Sequence, residues 1–282
     1  MSQKPKKITA PWVAGAPARG HRLTMVTAYD YPQGRLVDAS GAEIALVGDS
    51  LAMVVLGHDG TLSVTVDEML HHVRAVRRGV ERALLVADMP YGSFHLGPEQ
   101  AVDNALTFLK EGGAQAVKIE GARPDVVAAL VEAEIPVMGH LGLTPQSIHR
   151  FGGYRIQGRG VPARRALLHA AEAVEAAGAF SLVLECVPAD LAGEVSERLA
   201  IPTIGIGAGP ACDGQVLVFH DLLGLEDRLT PKFVRRYAEL GTLAGEALAR
   251  FVDDVREGRF PDESESYDDP SLADGTVRKI YG

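Results

Sequence analysis

The chain has 282 residues, of which 28 are Lys or Arg and 37 are Asp or Glu, so its formal net charge is −9 and its pI is near 5.5. A hydrophobic content of 46% is enough for a sizeable core, which excludes disorder as the dominant state. The acidic balance, without a long Lys/Arg run, argues against nucleic acid as a partner.

Residues 1–20 are predicted to be an N-terminal extension, basic at its start but lacking the apolar stretch of a secretory signal. Apolar runs elsewhere are only a few residues long, whereas a membrane-spanning helix needs roughly 20 apolar residues. We therefore expect a cytoplasmic protein that has no membrane partner. Cys186 and Cys212 form no CxxC pair, and two ordinary reduced thiols are expected.

Eight short runs rich in Val, Ile and Leu predict eight strands. They are nearly continuous in apolar residues rather than alternating, which is typical of parallel strands covered on both faces. In chain order the runs are LTMVTAY (23–29), EIALVGD (43–49), ALLVAD (83–88), AVKIE (116–120), PVMGH (136–140), SLVLEC (181–186), PTIGIG (202–207) and QVLVFH (215–220).

Segments with helical spacing lie between these runs. In the clearest, apolar residues recur at three- and four-residue steps over 66–76, after a capping box of Thr65 and Glu68. Another segment, 163–177, is Ala-rich and ends at Gly178. The alternation predicts an α/β fold of the (β/α)₈ TIM-barrel type. An open doubly wound sheet remains the alternative, although no G-x-G-x-x-G follows the first strand.

Two glycine-rich stretches depart from the minimal repeat. Residues 141–161, after the fifth strand, carry several Gly and Arg residues; a lid, a subunit contact and an irregular surface loop are all open interpretations. GIGAGP at 205–210 resembles a phosphate-binding loop, but glycine packing in a tight turn is the favoured interpretation.

The C-terminal part is predicted to be a long helix followed by a tail. Phe233, Tyr237, Leu240, Ala244, Leu248, Phe251 and Val255 mark one face of that helix. Residues 258–282 are polar and acidic and are expected to form a loosely held tail. The helix therefore closes a single catalytic domain over residues 21–257.

Polar residues at the predicted strand ends indicate where chemistry would occur, since active sites of this architecture lie at the carboxyl ends of the strands. They are Asp49, Ser50, Asp88, Lys118, Glu120, His140 and Glu185. Lys118 and Glu120 are two residues apart on one strand, so both side chains should point into the barrel mouth.

Several carboxylates buried together call for a cation, and oxygen donors favour Mg²⁺. Asp49 and Asp88 end adjacent strands and are the best direct ligands, whereas Glu120 could ligate the ion or hold a coordinated water. Glu185 follows the apolar SLVL directly and is a candidate general base. Taken singly, each Asp could instead cap a helix, and His140 is more often structural than catalytic.

Read together, the segments resemble the ketopantoate hydroxymethyltransferase family in order over roughly residues 20–225. The motifs that carry the resemblance are TAYDYP (27–32), LVGDSLAMVVLG (46–57), VADMPYGSF (86–94), AVKIEG (116–121), PVMGHLGLTPQS (136–147), LVLECVP (182–188), IPTIGIGAGPACDGQVLV (201–218) and HDLLG (220–224).

The resemblance implies a TIM barrel that transfers a hydroxymethyl group from 5,10-methylenetetrahydrofolate to 3-methyl-2-oxobutanoate. Mapped onto this sequence, it implies Glu185 as proton acceptor. The implied metal ligands for Mg²⁺ are Asp49, Asp88 and Glu120, and the implied contacts to the 2-oxo acid are Asp49, Ser50, Asp88 and Lys118. It further implies a homo-oligomer, often a decamer, in which C-terminal helices are exchanged.

Two rival functions remain open at this point. The first is a magnesium-dependent barrel enzyme related to phosphoenolpyruvate mutase and isocitrate lyase. Such enzymes tend to carry a reactive Cys after the fourth strand, where this chain has GARPDVV (121–127). The second is a non-catalytic barrel that binds a metabolite, which a folate-dependent assay would distinguish.

Overall fold

A computed structural model describes residues 6–226, 228 and 231–267 of the chain. In this part of the chain, eight parallel strands close into a barrel, each pairing with the next and the first with the last. The strands are β1 Leu23–Thr27, β2 Ile44–Val47, β3 Leu84–Asp88, β4 Ala116–Glu120, β5 Val137–Gly142, β6 Ser181–Glu185, β7 Thr203–Ile206 and β8 Gly214–Leu217. The TIM-barrel prediction is confirmed, and the open-sheet alternative is wrong.

Closure rests on the pairing of β1 with β8, in which Leu23 lies opposite Gly214 and Val26 opposite Leu217. The last strand is shorter than the predicted run 215–220. It stops at Leu217 because the backbone N–H of Phe219 donates to Thr27 Oγ1 at 2.8 Å and a short helix begins there.

Helices surround the barrel, but residues 207–213 join β7 directly to β8 without one. The predicted capping box is present, with reciprocal hydrogen bonds between Thr65 and Glu68. The helices are α1 Ala10–Ala14, α2 Tyr31–Ala39, α3 Leu51–Val54, α4 Val66–Gly79, α5 Pro98–Lys110, α6 Pro124–Glu132, α7 Ile148–Phe151, α8 Val161–Ala176, α9 Ala189–Arg198, α10 Phe219–Leu222 and α11 Leu240–Arg256.

Two apolar clusters follow from the alternation of side chains along each strand. The larger cluster lies between the strands and the helices. The smaller one fills the barrel with residues such as Leu46, Val86 and Met138. Val13 and Ala16 belong to this inner cluster, so the N-terminal segment closes the amino end of the barrel. Any cavity for substrates is thereby confined to the carboxyl end.

The C-terminal helix begins later than the pattern indicates, because the segment before it is held in another way. Tyr237 N–H donates to the Leu222 carbonyl at 2.8 Å and Leu240 N–H to the Leu223 carbonyl at 2.9 Å. The prediction that Phe233 and Tyr237 are helical is therefore wrong. Residues 258–267 are exposed, and the rest of the predicted tail, 268–282, lies outside the described residues.

Helix α11 presents apolar side chains to solvent in the single chain. It contains no buried residue, and Leu248 and Phe251 are 65% and 50% exposed. Over the described ranges, no helix combines the length and apolarity that crossing a bilayer requires.

Candidate functional site

A cavity of about 610 Å³ opens at the carboxyl ends of the strands. It is lined by every site residue predicted from sequence and also by His140. These residues are Asp49, Ser50, Asp88, Lys118, Glu120, His140 and Glu185. Five of them, all but Ser50 and Glu185, are at most 5% exposed. The alternation along β4 places Lys118 and Glu120 on the inward face, as predicted.

Asp49 and Asp88 lie side by side at the ends of β2 and β3. The backbone N–H of Asp49 donates to Asp88 Oδ2 at 3.1 Å. Burial, followed by the negative charges of Asp88 and Glu120, raises the pKa of Asp49 well above its usual value. Burial also raises the pKa of Asp88, although Lys118 opposes the shift. Both carboxylates are therefore costly to ionise without a further cation.

Lys118 supplies part of the neutralising charge. Its Nζ lies 2.6 Å from Asp88 Oδ1, and both side chains are almost fully buried. Burial alone would lower the pKa of Lys118, but the surrounding carboxylates of Asp88, Glu120 and Asp49 outweigh it and raise the pKa. Lys118 is thus held as a charged ammonium group at the base of the cavity.

Glu120 is held by two neighbours on the adjacent strand and loop. Its Oε2 accepts from the Gln146 backbone N–H at 3.0 Å, and its Oε1 lies 3.4 Å from His140 Nδ1. Burial alone would raise the pKa of Glu120, but His140, Lys118 and Gln146 outweigh it, and the pKa is lowered. Glu120 is accordingly the most readily ionised of the three buried acids.

Gln146 is a site residue that the sequence reasoning missed. Its Nε2 donates to Asp49 Oδ2 at 2.9 Å and to the Met89 carbonyl at 3.0 Å, so the loop after β5 reaches across to β2 and β3. Its Oε1 is buried without a hydrogen-bond partner in the described ranges. Gln146 lies in the quoted motif PVMGHLGLTPQS, and its position just after a strand was the available signal.

His140 lies between two acids and the ammonium group. Its Nε2 is 3.2 Å from Glu185 Oε2, an ion contact outside good hydrogen-bond geometry. Lys118 Nζ is 3.2 Å from Nδ1, to which it can donate only while that nitrogen carries no proton. Burial and Lys118 would lower the pKa of His140, but Glu120 and Glu185 outweigh them and raise it to about 9.

Ser50 and Glu185 complete the rim of the site. Ser50 Oγ and Tyr29 Oη lie 2.9 Å apart, and Tyr29 is 1% exposed, so a buried ring positions the serine. The Glu185 side chain is 17% exposed and reaches the cavity. Cys186, which follows it, has φ of 47°, a left-handed conformation that is costly for a non-glycine residue.

The glycine-rich loop 205–210 packs tightly against its neighbours. A Cβ on Gly207 would lie 2.7 Å from the Phe233 ring, and one on Gly209 would lie 2.4 Å from Ala189 Cβ. Both glycines also have positive φ. These contacts favour the tight-turn interpretation of GIGAGP. Cys186 and Cys212 are both free thiols, as expected.

The donor chemistry of the cluster fits a hard divalent cation. Within residues 6–226, 228 and 231–267, no three His, Cys, Asp or Glu side chains are gathered tightly enough to enclose a metal ion by themselves. Mg²⁺ needs fewer, since it commonly takes one or two protein carboxylates and keeps several waters. The four acids carry four negative charges when ionised, and Lys118 with a protonated His140 neutralises two of them. One divalent ion would neutralise the other two.

The sequence of the chain is similar to one enzyme family throughout. A family model described as Ketopantoate hydroxymethyltransferase matches residues 7–263. The chain is 55% identical over 269 residues to the 3-methyl-2-oxobutanoate hydroxymethyltransferase of Pelobacter propionicus, covering 95% of this chain and 100% of that protein. It is 53% identical over 264 residues to the enzyme of the same name from Carboxydothermus hydrogenoformans, covering 93% and 95%.

Solved structures share the fold at low sequence identity. One is 2,3-dimethylmalate lyase, a member of the PEP mutase/isocitrate lyase superfamily, with a TM-score of 0.60 and 17% identity over 91% of each chain. Another is phosphonopyruvate hydrolase in complex with oxalate and Mg²⁺, with a TM-score of 0.58 and 14% identity over 91% of this chain and 93% of that one. At such identity the likeness concerns the barrel alone.

Proposed function

The chain belongs to the ketopantoate hydroxymethyltransferase family, and from this premise we propose how its site transfers a one-carbon unit. The enzyme adds a hydroxymethyl group to 3-methyl-2-oxobutanoate and forms 2-dehydropantoate. In our proposal the donor is 5,10-methylenetetrahydrofolate, water supplies the hydroxyl group, and tetrahydrofolate is released. The reaction requires that C3 of the 2-oxo acid lose a proton and form a carbon–carbon bond.

The observation that carries this proposal is the group of buried acids around one ammonium group at the cavity base. Asp49 and Asp88 would hold Mg²⁺, and Glu120 would ligate it directly or through water. When bound, the ion would draw electron density from the chelated 2-oxo acid and stabilise the negative charge of its enolate. Lys118 and Ser50 would donate to the carboxylate and carbonyl oxygens of the substrate, and both aspartates would contact these oxygens through the bound ion.

Glu185 would accept the C3 proton. It is the least buried of the four acids, and His140 lies 3.2 Å from its Oε2. His140 faces that carboxylate on the inward face of β6, while its other nitrogen faces Glu120. A positioned base contributes on the order of 10²- to 10⁴-fold to such a step. Most of the stabilisation of the carbanion must therefore come from the cationic groups.

The proposal can be tested on the proton-transfer step alone. Glu185→Gln should reduce loss of the C3 proton of 3-methyl-2-oxobutanoate in D₂O by roughly 10²-fold or more, because the amide is not a base. NMR of the substrate with protein and Mg²⁺, without folate, measures this exchange. Magnesium binding should remain close to that of the unmodified protein. Undiminished exchange would remove Glu185 from the role of base.

The assembly and location follow as part of the same proposal. The exposed apolar face of α11 supports a homo-oligomer in which this helix is covered by a neighbouring copy, and we propose a decamer. Residues 21–257 would form the catalytic domain of each subunit, between the extension 1–20 and the tail 258–282. We place the enzyme in the cytoplasm with its small-molecule substrates.

A further inference from the structure

The cavity is larger than the 2-oxo acid needs, and its outer part is built differently from its base. The acid cluster and Lys118 lie at the base, whereas the rest of the lining combines the apolar side chains of Met53, Val54 and Ile156 with charged ones such as Arg155 and Arg228. A volume of about 610 Å³ is in the range of sites that hold drug-sized ligands, far larger than a five-carbon keto acid. The outer part therefore has room for a second molecule.

Tyr154 places an aromatic ring in this outer part. It is 51% exposed, and its hydroxyl donates to Met53 Sδ at 3.9 Å, so the segment after β5 meets helix α3. Burial, followed by the charges of Glu185, Asp49 and Glu120, raises the pKa of Tyr154. Tyr154 lines the same cavity as these three acids, and its half-exposed ring offers a face on which a flat aromatic group can stack.

The segment that carries Tyr154 is fixed in place by its backbone. Gln157 N–H donates to the Cys186 carbonyl at 2.9 Å, directly after Glu185. Gly158 has φ of 79°, and a Cβ there would lie 2.5 Å from Leu191 Cδ2, so this turn requires glycine. The cavity wall is accordingly tied to the strand that presents Glu185.

Two polar groups on the wall have no partner in the described part of the chain. The Thr61 hydroxyl is buried, with the residue 3% exposed, and it has no hydrogen-bond partner there. Arg155 lines the cavity and is exposed, and no carboxylate of the described residues pairs with it. One ligand with a polar ring and an anionic tail would satisfy both groups.

We propose that this outer wall binds the reduced folate, with its ring system against Tyr154 and Thr61 and its glutamate carboxylates at Arg155. This inference rests on the proposed function, because it supplies the one-carbon donor to the acid cluster beneath. A ring stacked on Tyr154 would hold the donor carbon above the base of the cavity. The tail would leave along the rim, where further glutamate units would meet the same guanidinium group.

The test compares variants of the full-length protein in two assays. The first is folate-independent exchange of the C3 proton with Mg²⁺, and the second is the apparent KM for 5,10-methylenetetrahydrofolate with one or three glutamates. Tyr154→Ala should raise that KM roughly tenfold, and Tyr154→Phe, which keeps the ring, should raise it by less. Exchange should change far less than the KM in both variants.

Arg155→Ala should raise the KM for the triglutamate roughly fivefold, with a smaller effect on the monoglutamate. The difference should shrink in 0.5 M NaCl, where exposed charges are screened within about 5 Å. Arg159→Ala is the matched control, since it removes the same charge from the same segment outside the cavity lining and should leave both KM values unchanged.

The outcomes separate this inference from the function on which it rests. If the Tyr154 and Arg155 variants show normal exchange and unchanged KM values, the assignment of the outer wall to folate binding is wrong. The proposed function would not be affected. The folate assignment would also be overturned if exchange fell by the same factor as the KM rose. The same holds if a variant changed the oligomeric state while its KM stayed unchanged. If the unmodified protein exchanges no C3 proton and uses no folate, the proposed function itself fails.

Discussion

Replacing Asp49 by Asn should stabilise the metal-free protein while impairing the site. Asn keeps the size of the side chain and can still accept the hydrogen bond from Gln146 Nε2, which now reaches Asp49 Oδ2 at 2.9 Å. What it removes is a negative charge at a residue that is 4% exposed. That charge is disfavoured first by burial and then by Asp88 and Glu120.

The size of the expected gain in folding stability is estimated from the repulsion between the negative charges. Asp49 and Asp88 are neighbours, with the Asp49 backbone N 3.1 Å from Asp88 Oδ2. Two like unit charges at a separation of about 5 Å repel by about 3 kcal/mol at an effective dielectric constant of about 20. The lost attraction to Lys118 offsets part of this gain, so we expect a net stabilisation of about 1–2 kcal/mol. For a chain of this size that corresponds to a rise in Tm of roughly 2–3 °C.

The dependence on pH has a definite sign. The folded-state pKa of Asp49 lies above its ordinary value of 3.8, so its protonated form favours folding at low pH and ionisation costs stability as pH rises through the folded pKa. Asn cannot ionise. The difference in stability between Asp49→Asn and the unmodified protein should therefore widen as pH rises.

Thermal unfolding in EDTA and in excess Mg²⁺ measures both effects. Saturating Mg²⁺ at about 100 times its Kd should stabilise the unmodified protein by about 2.7 kcal/mol, and Asp49→Asn should lose most of this. Asp103→Asn, an exposed site on α5, is the control and should change stability by less than about 0.5 kcal/mol. A lower Tm for Asp49→Asn in EDTA, or full retention of the magnesium effect, would refute the reasoning.

Two further substitutions probe the charges in other ways. Lys118→Met should destabilise the protein in EDTA by about 3–5 kcal/mol, because Asp88, 2.6 Å away, loses its buried partner; unchanged thermal unfolding would contradict this. Glu43→Gln should cost about 1 kcal/mol near neutral pH, since the carboxylate accepts from Thr24 Oγ1 at 2.7 Å and from His21 at 3.0 Å. Burial alone would raise the pKa of Glu43, but these bonds lower it from its ordinary value of 4.5. The deficit should therefore be full above pH 4.5 and disappear as pH falls through the lowered folded-state pKa; a deficit that persists in stronger acid would contradict this.

The sequence was most informative where composition alone decides structure. Strands buried on both faces must be apolar throughout, so the runs that predict β1 to β7 lie within a residue or two of the observed bounds. Barrel closure was a weaker inference, because it depends on pairing β1 with β8 across almost 200 residues. The start of α11 was misjudged because apolar spacing continues through Phe233 and Tyr237, whose backbone is held by the α10 region instead.

The positions of the site residues could be predicted from the sequence, but their contacts could not. Parallel strands end at one edge, so polar residues after their apolar runs had to meet there. Which neighbours hold them was not visible: Gln146 reaches Asp49 from 97 residues away, and nothing local marks that contact. The role of His140 could not be predicted from its place on β5 alone, because only its distances to Glu120 and Glu185 distinguish it from a structural histidine.

The contacts of Asp49 also bear on whether the acids are there for folding or for binding. A structural aspartate at this position would cap the helix that follows, yet α3 has no side-chain cap. The Asp49 carboxylate instead accepts from Gln146, itself held at the Glu120 carboxylate, and Asp88 faces Lys118. Because these acids disfavour one another's ionisation and cap no helix, their grouping is best explained by a bound cation that uses their charge.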